Sequence, residues 1–285
     1  MLSLSVAWAG SPPAQKLPSA LLAYPLVQVG GDQDTRIEIV NLSSDPQTIE
    51  CFYVSGCGEV GFMLFLTPYQ PAAWLASAGS NDWQTGTAVP PFFGTGEMRC
   101  GVQPPLPELT YHNTIQGRAT VFTASTGKTI SYGAVGFQRL SPGDFTGTYN
   151  LDGRTYAQCP DKLHFDVLTD QPTSSSEMVL VPCAEDLRTQ VPTSVTVQFL
   201  MYNEFEQPFS TSMTVTCFDQ RPLAEISNAL TRAIAGTDTA HIVARGVGGP
   251  LLGLVVDETS FQSVTGTAGN EPSFDGGRSA TVLFP

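Results

Sequence analysis

The sequence predicts an all-β protein of two tandem antiparallel β-sandwiches related by internal duplication, with one short helix in the second. Three observations carry this expectation. Gly and Pro are frequent, at 27 and 22 residues, and punctuate the 285-residue chain at short intervals. Several segments alternate strictly between apolar and polar residues, which is the period of a half-buried strand. Two of those segments share a Cys-Phe pair: "IECFYV" contains Cys51-Phe52 and "VTCFD" contains Cys217-Phe218, 166 positions later.

The elements follow in order. The start, "MLSLSVAWAGSPPAQ", is an apolar run ending in the small-x-small pattern Ala7-Trp8-Ala9. It reads as the remnant of a secretory signal, and with a disordered lead it occupies residues 1–19. Residues 20–140 form the first repeat. In it Leu21 to Val29 is a strand, and "TRIEIVNL" sets Ile37 and Ile39 against Arg36 and Glu38. "QTIECFYV" places Ile49, Cys51 and Tyr53 on one face, so Cys51 is expected in the core. "VGFMLFL" is a further strand, followed by a Pro-, Gly- and aromatic-rich insertion over residues 67–97.

A turn-rich connector covers 141–162, and the second repeat covers 163–285. There "SVTVQFLMYN" directs Val195, Val197, Phe199 and Met201 to one face, and "SMTVTCFD" groups Met213, Val215 and Cys217. The stretch "RPLAEISNALTRAIAG" is the helix. Leu223, Ile226, Leu230 and Ile234 share a face, Pro222 suits the first turn and Gly236 the stop. "ATVFTASTGKTISYGAV" and "AHIVARGVGGPLLGLVV", 121 positions apart, both read as hairpins, with turns near Gly127 and Gly248.

Six cysteines in a chain that looks exported predict disulfides. Cys51, Cys57 and Cys100 lie in the first half, and Cys159, Cys183 and Cys217 in the second. Three per half requires one bridge between halves or two free thiols. Cys159, in the connector, is the natural candidate for a crossing or linker-pinning bond. The spacing itself selects no connectivity.

The charge is −13, with −4 in residues 1–150 and −9 in the remainder. Nucleic acid and anionic membrane surfaces are therefore excluded as partners, because both require a basic patch. No uninterrupted apolar segment reaches the ~18 residues of a membrane-spanning helix. Secreted, periplasmic or cell-surface localisation is expected.

The motifs that carry chemistry are missing. "STGKT" at 125–129 lacks the upstream Gly of a phosphate loop; Phe122 stands there. No C-x-x-C or H-E-x-x-H occurs, and His112, His164 and His241 are far apart in the chain, so no metal site and no cofactor is expected. No G-x-S-x-G elbow marks a nucleophile. Glu185-Asp186 and Asp257-Glu258 read as solvated acids. Asp32 and Asp34 in "GGDQD" could serve calcium, but the motif lacks the remaining EF-hand ligands and a tight turn with exposed acids is the favoured reading.

The insertion is the functional candidate. Trp74 and Trp83 both lie in it, with Tyr69, Phe92 and Phe93. Aromatic side chains on a projecting loop stack on sugar rings or anchor protein contacts. The competing expectation is that they fold back to cover a sheet edge or fill the gap between the two repeats.

The repeated alternating strands, the turn spacing and the core-facing Cys of "IECFYV" and "MTVTCFD" resemble the tandem immunoglobulin-like modules of exported bacterial surface proteins. The resemblance covers roughly residues 20 to 140 and 163 to 285, and the buried Trp between two Cys of antibody domains is not visible. It implies a sandwich fold and no particular activity. The resulting expectation is a non-catalytic structural or adhesive protein making protein or surface contacts, self-association among them. The alternatives are a carbohydrate-binding module using the insertion, and a hydrolase whose site is assembled from distant residues.

Overall fold

The computed structural model describes residues 17–82, 87–103, 113–142, 147–261 and 264–285. Strands take up 66% of the chain and helices 5%, so the all-β class holds. The arrangement is a five-bladed, propeller-like assembly of small sheets, not two tandem immunoglobulin-like sandwiches.

The first sheet orders its strands Val135–Phe137, Leu21–Val29, Gly94–Gln103, Gln47–Ser55 and Gly58–Leu66. The second runs Lys128–Gly133, Ile115–Thr123, Gln33–Asn41 and Pro71–Leu75. The third runs Pro208–Thr216, Ser194–Asn203, Thr239–Val247, Cys159–Leu168 and Ser273–Arg278. The fourth contains Asp219–Pro222, Ser174–Pro182, Leu251–Phe261 and Val264–Asn270. The fifth joins Thr148–Leu151, Ala280–Leu283 and Glu185–Asp186, and a two-stranded ribbon pairs Ser80–Asp82 with Thr87–Val89.

The reason for the departure lies in the strands that bury both faces. Ile49, Cys51 and Tyr53 point from the first sheet into a core shared with Ile37, Ile39 and Val121 of the second, as the alternation requires. Phe52 and Val54, on the opposite side of the same strand, are buried as well, against Tyr149, Val181, Leu252 and Val282. Sheets covered on both faces stack in series instead of closing into separate pairs. The fourth sheet repeats the pattern. Met178 and Leu180 face Val197, Phe199 and Ile242 of the third sheet, whereas Val179 joins the core of the first and second. Two of the three cores thus draw on both halves of the chain.

The fifth sheet knits the halves further. The C-terminal strand Ala280–Leu283 pairs antiparallel with Thr148–Leu151 of the connector and parallel with Glu185–Asp186.

Two expected elements take another form. "AHIVARGVGGPLLGLVV" is not a hairpin: Thr239–Val247 belongs to the third sheet and Leu251–Phe261 to the fourth. Its earlier echo is one, with Lys128–Gly133 folded back on Ile115–Thr123 around Gly127 at φ +68°. The expected helix is three single turns, Leu223–Ile226, Asn228–Leu230 and Arg232–Ala235. Ser227, extended at φ −158° and ψ 132°, breaks it and caps the second turn by accepting from the Ala229 amide. Gly236 ends the last turn in the left-handed conformation, as the sequence implies.

Candidate functional site

Among the described residues, the aromatics of the insertion do not form one exposed platform. Trp74 sits on the Pro71–Leu75 strand at the edge of the second sheet, and its side chain turns into the core. Its indole Nε1–H donates to Tyr53 Oη at 2.7 Å, and Phe62 meets the ring edge-on. Phe92 is buried too, with its ring 4.9 Å from that of Tyr53. Tyr69 and Phe93 are exposed, at 65% and 71%. Trp83 lies outside the described residues, as does His112.

All six cysteines are paired: Cys51–Cys100, Cys57–Cys217 and Cys159–Cys183. Cys51 and Cys100 stand directly opposite on neighbouring strands of the first sheet. The bridge between halves is Cys57–Cys217, while Cys159 ties the connector to the second half. Three bridges are the pattern of a protein matured in an oxidising compartment. Among the described residues no helix is long and apolar enough to cross a membrane.

The candidate calcium acids are engaged within the protein. Asp32 accepts from Ser125, and Asp34 from the hydroxyl and amide of Ser77. Glu185, read as a solvated acid, is mostly buried beside Arg99.

Titratable side chains gather instead on the outward face of the third sheet. Strand register explains why. His241 lies directly opposite Asp166, and His164 is its diagonal neighbour on the same strand as Asp166. Lys162 is opposite Asp275 on the other side. Alternation turns all of these outward while Leu163, Phe165, Ala240 and Ile242 fill the core. The result is a chain of contacts across three strands. His241 Nδ1 is 2.8 Å from Asp166 Oδ1, His241 Nε2 is 3.3 Å from His164 Nδ1, and His164 Nε2 is 4.0 Å from Asp275 Oδ2. Lys162 Nζ lies 3.1 Å from Asp275, and its ammonium holds that carboxyl below the usual carboxylate range. Arg245 reaches Asp161 at 3.3 Å. Beside this chain lies a shallow depression of about 650 Å³, lined by Lys162, Gln198, Leu200, Ser210, Ser212 and Arg245 among others.

A second groove, of about 720 Å³, crosses the outer face of the second sheet. Arg36 and Arg118 both grip Glu38 there, and the Arg118 guanidinium holds the Glu38 carboxyl below its ordinary range. The cations in this groove are already matched by an acid, so it offers apolar wall from Pro71, Ala72 and Ala73 more than free charge.

In the sequence 77 positions separate His164 from His241, and nothing local joins them. The signal that could have joined them is the strand assignment: two strands of one sheet, each with its His on the polar side of the alternation. No protein-family model matches this chain, and no curated protein sequence matches it.

Proposed function

We propose that this is an exported, disulfide-braced, non-catalytic protein that makes structural or adhesive contacts by adding strands at a free sheet edge. The observation that carries the reading is the strand Pro208–Thr216, "PFSTSMTVT". It is the outermost strand of the third sheet and pairs on one side only, with Ser194–Asn203, among the described residues. Nine consecutive residue pairs run without a register shift.

Edge strands in monomeric proteins are ordinarily blunted by charge, bulges or internal proline. This one has no charged residue and no bulge, and its single proline stands at its first position. Its unpaired amides and carbonyls are a template for another strand. A second copy of this chain is the simplest partner. An antiparallel pair centred on Ser212 would set uncharged residues opposite one another along its length.

Two features weigh against the alternatives. The glycan reading loses Trp74 and Phe92 to the interior and keeps Tyr69 and Phe93 as exposed aromatics. For the hydrolase reading, the imidazoles of His164 and His241 bond to each other and to Asp166, and no Ser, Thr or Cys nucleophile joins them among the described residues.

The test is the mass of the purified, oxidised chain in solution across a wide concentration range, by light scattering or sedimentation. A dimer or larger species is expected, reverting to monomer in the Ser210→Lys, Thr214→Lys double variant. A wild-type monomer at every concentration, or an oligomer indifferent to both lysines, overturns self-pairing through this edge.

A further inference from the structure

We propose that His164 and His241 form a two-imidazole site for a divalent transition-metal ion of the zinc, copper or nickel class. The inner nitrogens, His164 Nδ1 and His241 Nε2, are 3.3 Å apart. Two imidazole nitrogens bound at about 2.0–2.1 Å to one tetrahedral ion are separated by about 3.3–3.4 Å. The two inner nitrogens therefore stand at the spacing that one ion needs.

Hydrogen-bond accounting points the same way. Asp166 is an acceptor and fixes the proton of His241 on Nδ1, which leaves Nε2 with a lone pair. If the two rings merely hydrogen-bond, His164 must donate from Nδ1 to that lone pair. His164 Nε2 is then an acceptor. It is a buried atom with no hydrogen-bond partner, and the group it faces, the Asp275 carboxylate at 4.0 Å, is also an acceptor. Placing an ion between the rings turns the repulsion of two acceptors into an N–H that faces a carboxylate. Both inner nitrogens then offer lone pairs to the metal. Both outer nitrogens carry hydrogen and face a carboxylate, Asp166 on one side and Asp275 on the other. On the Asp166 side, at 2.8 Å, this is the carboxylate–histidine–metal arrangement that orients metal-bound imidazoles, while Asp275, at 4.0 Å, supplies a facing charge and not a hydrogen bond.

No third His, Cys, Asp or Glu side chain converges with these two as a ligand among the described residues. Water completes the coordination, and it has access: His241 is 41% exposed and Asp166 87%. A single extra proton on His164 would satisfy the same outer atoms, so a metal-specific readout is needed.

The experiment uses the untagged, disulfide-intact full chain. Zn²⁺ binding is followed by calorimetry, and Co²⁺ binding by the visible absorption of a tetrahedral site. One equivalent is expected to bind. His164→Gln or His241→Gln should abolish that binding, and Asp166→Asn should weaken it by about 10- to 100-fold. Thermal melts of the variants without metal check that each remains folded; both histidines lie on an outer sheet face, so near-wild-type melting is expected. Absence of binding to the wild type means that a proton, not a metal, serves the pair, and overturns the proposal. Binding that survives both His substitutions also overturns it, because the ion is then held elsewhere.

Discussion

Arg99, on a central strand of the first sheet, donates from Nη1 to the carbonyl oxygen of Cys183 at 2.7 Å, across the boundary between the two halves of the chain. Its Nη2 donates to the carbonyl of Pro182 at 2.6 Å, and its Nε lies 3.0 Å from Glu97 and 2.8 Å from Glu185. The guanidinium is fully buried. Such a group is tolerable only because its donors and charge find partners. Both carbonyls lie at the Cys183 end of the Cys159–Cys183 bridge, so the latch and the disulfide fix the same corner of the fourth sheet.

Arg99→Met is therefore expected to destabilise the fold by about 3–5 kcal/mol, since it strands two buried carboxyl groups and two carbonyls. Chemical denaturation of the oxidised protein measures it. Replacing Glu97, Arg99 and Glu185 together with apolar residues of similar volume should recover the share of that loss due to the two carboxyl groups, leaving only the carbonyls of Pro182 and Cys183 without their donor. A single substitution as mild as a surface change would show that the latch carries no weight.

The bridges should rank by the chain they close. Cys57–Cys217 spans 160 positions and Cys159–Cys183 spans 24. In the chain-entropy account the first is worth about 4–5 kcal/mol, even when the other bridges shorten its loop, and the second about 3–3.5 kcal/mol. Paired Cys→Ser variants in thermal melts should show the larger loss at Cys57–Cys217. The reverse order would mean that native packing, not the unfolded chain, sets the effect.

Much of the local structure was legible and little of its assembly. Leu21 to Val29 forms a strand as its composition indicates, and the inward set Val195, Val197, Phe199 and Met201 is buried as its spacing requires. Period-2 alternation reports one covered face; it cannot tell which sheet does the covering. Glu97 and Arg99 alternate with Met98 and Cys100, the pattern of a strand with one solvated face, yet all four are buried. The site was hidden for a related reason. His164 and His241 become neighbours only through the register of two strands distant in sequence, and no spacing rule encodes that.

Trp74 is a core residue, and its substitution should behave as one. Trp74→Phe removes the donor to Tyr53 Oη and part of the ring's volume, and is expected to cost about 1–3 kcal/mol. Trp74→Ala should cost about 3–5 kcal/mol. Any loss of glycan or protein binding in Trp74→Ala is to be compared with its melting temperature. Binding lost with stability intact would return this residue to the list of ligand contacts.

The buried latch also sets a pH dependence. Burial, opposed by the charge of Arg99, pushes the Glu97 carboxyl up to about 8 from an ordinary 4.5, and burial raises Glu185 as well. One arginine faces two carboxyl groups, so one of them keeps its proton at neutral pH. A folded-state value above the unfolded one means that the folded protein binds more protons between about 4.5 and 8. The contribution of Glu97 to stability is thus fully present below pH 4.5 and declines as pH rises through 8, where a second negative charge must form in the interior. Denaturant midpoints measured from pH 5 to 9 should fall toward the alkaline end. Glu97→Gln, which stays neutral and near-isosteric, should flatten that slope while matching the wild type most closely near pH 4.5. An unchanged slope in Glu97→Gln would place the titrating group elsewhere.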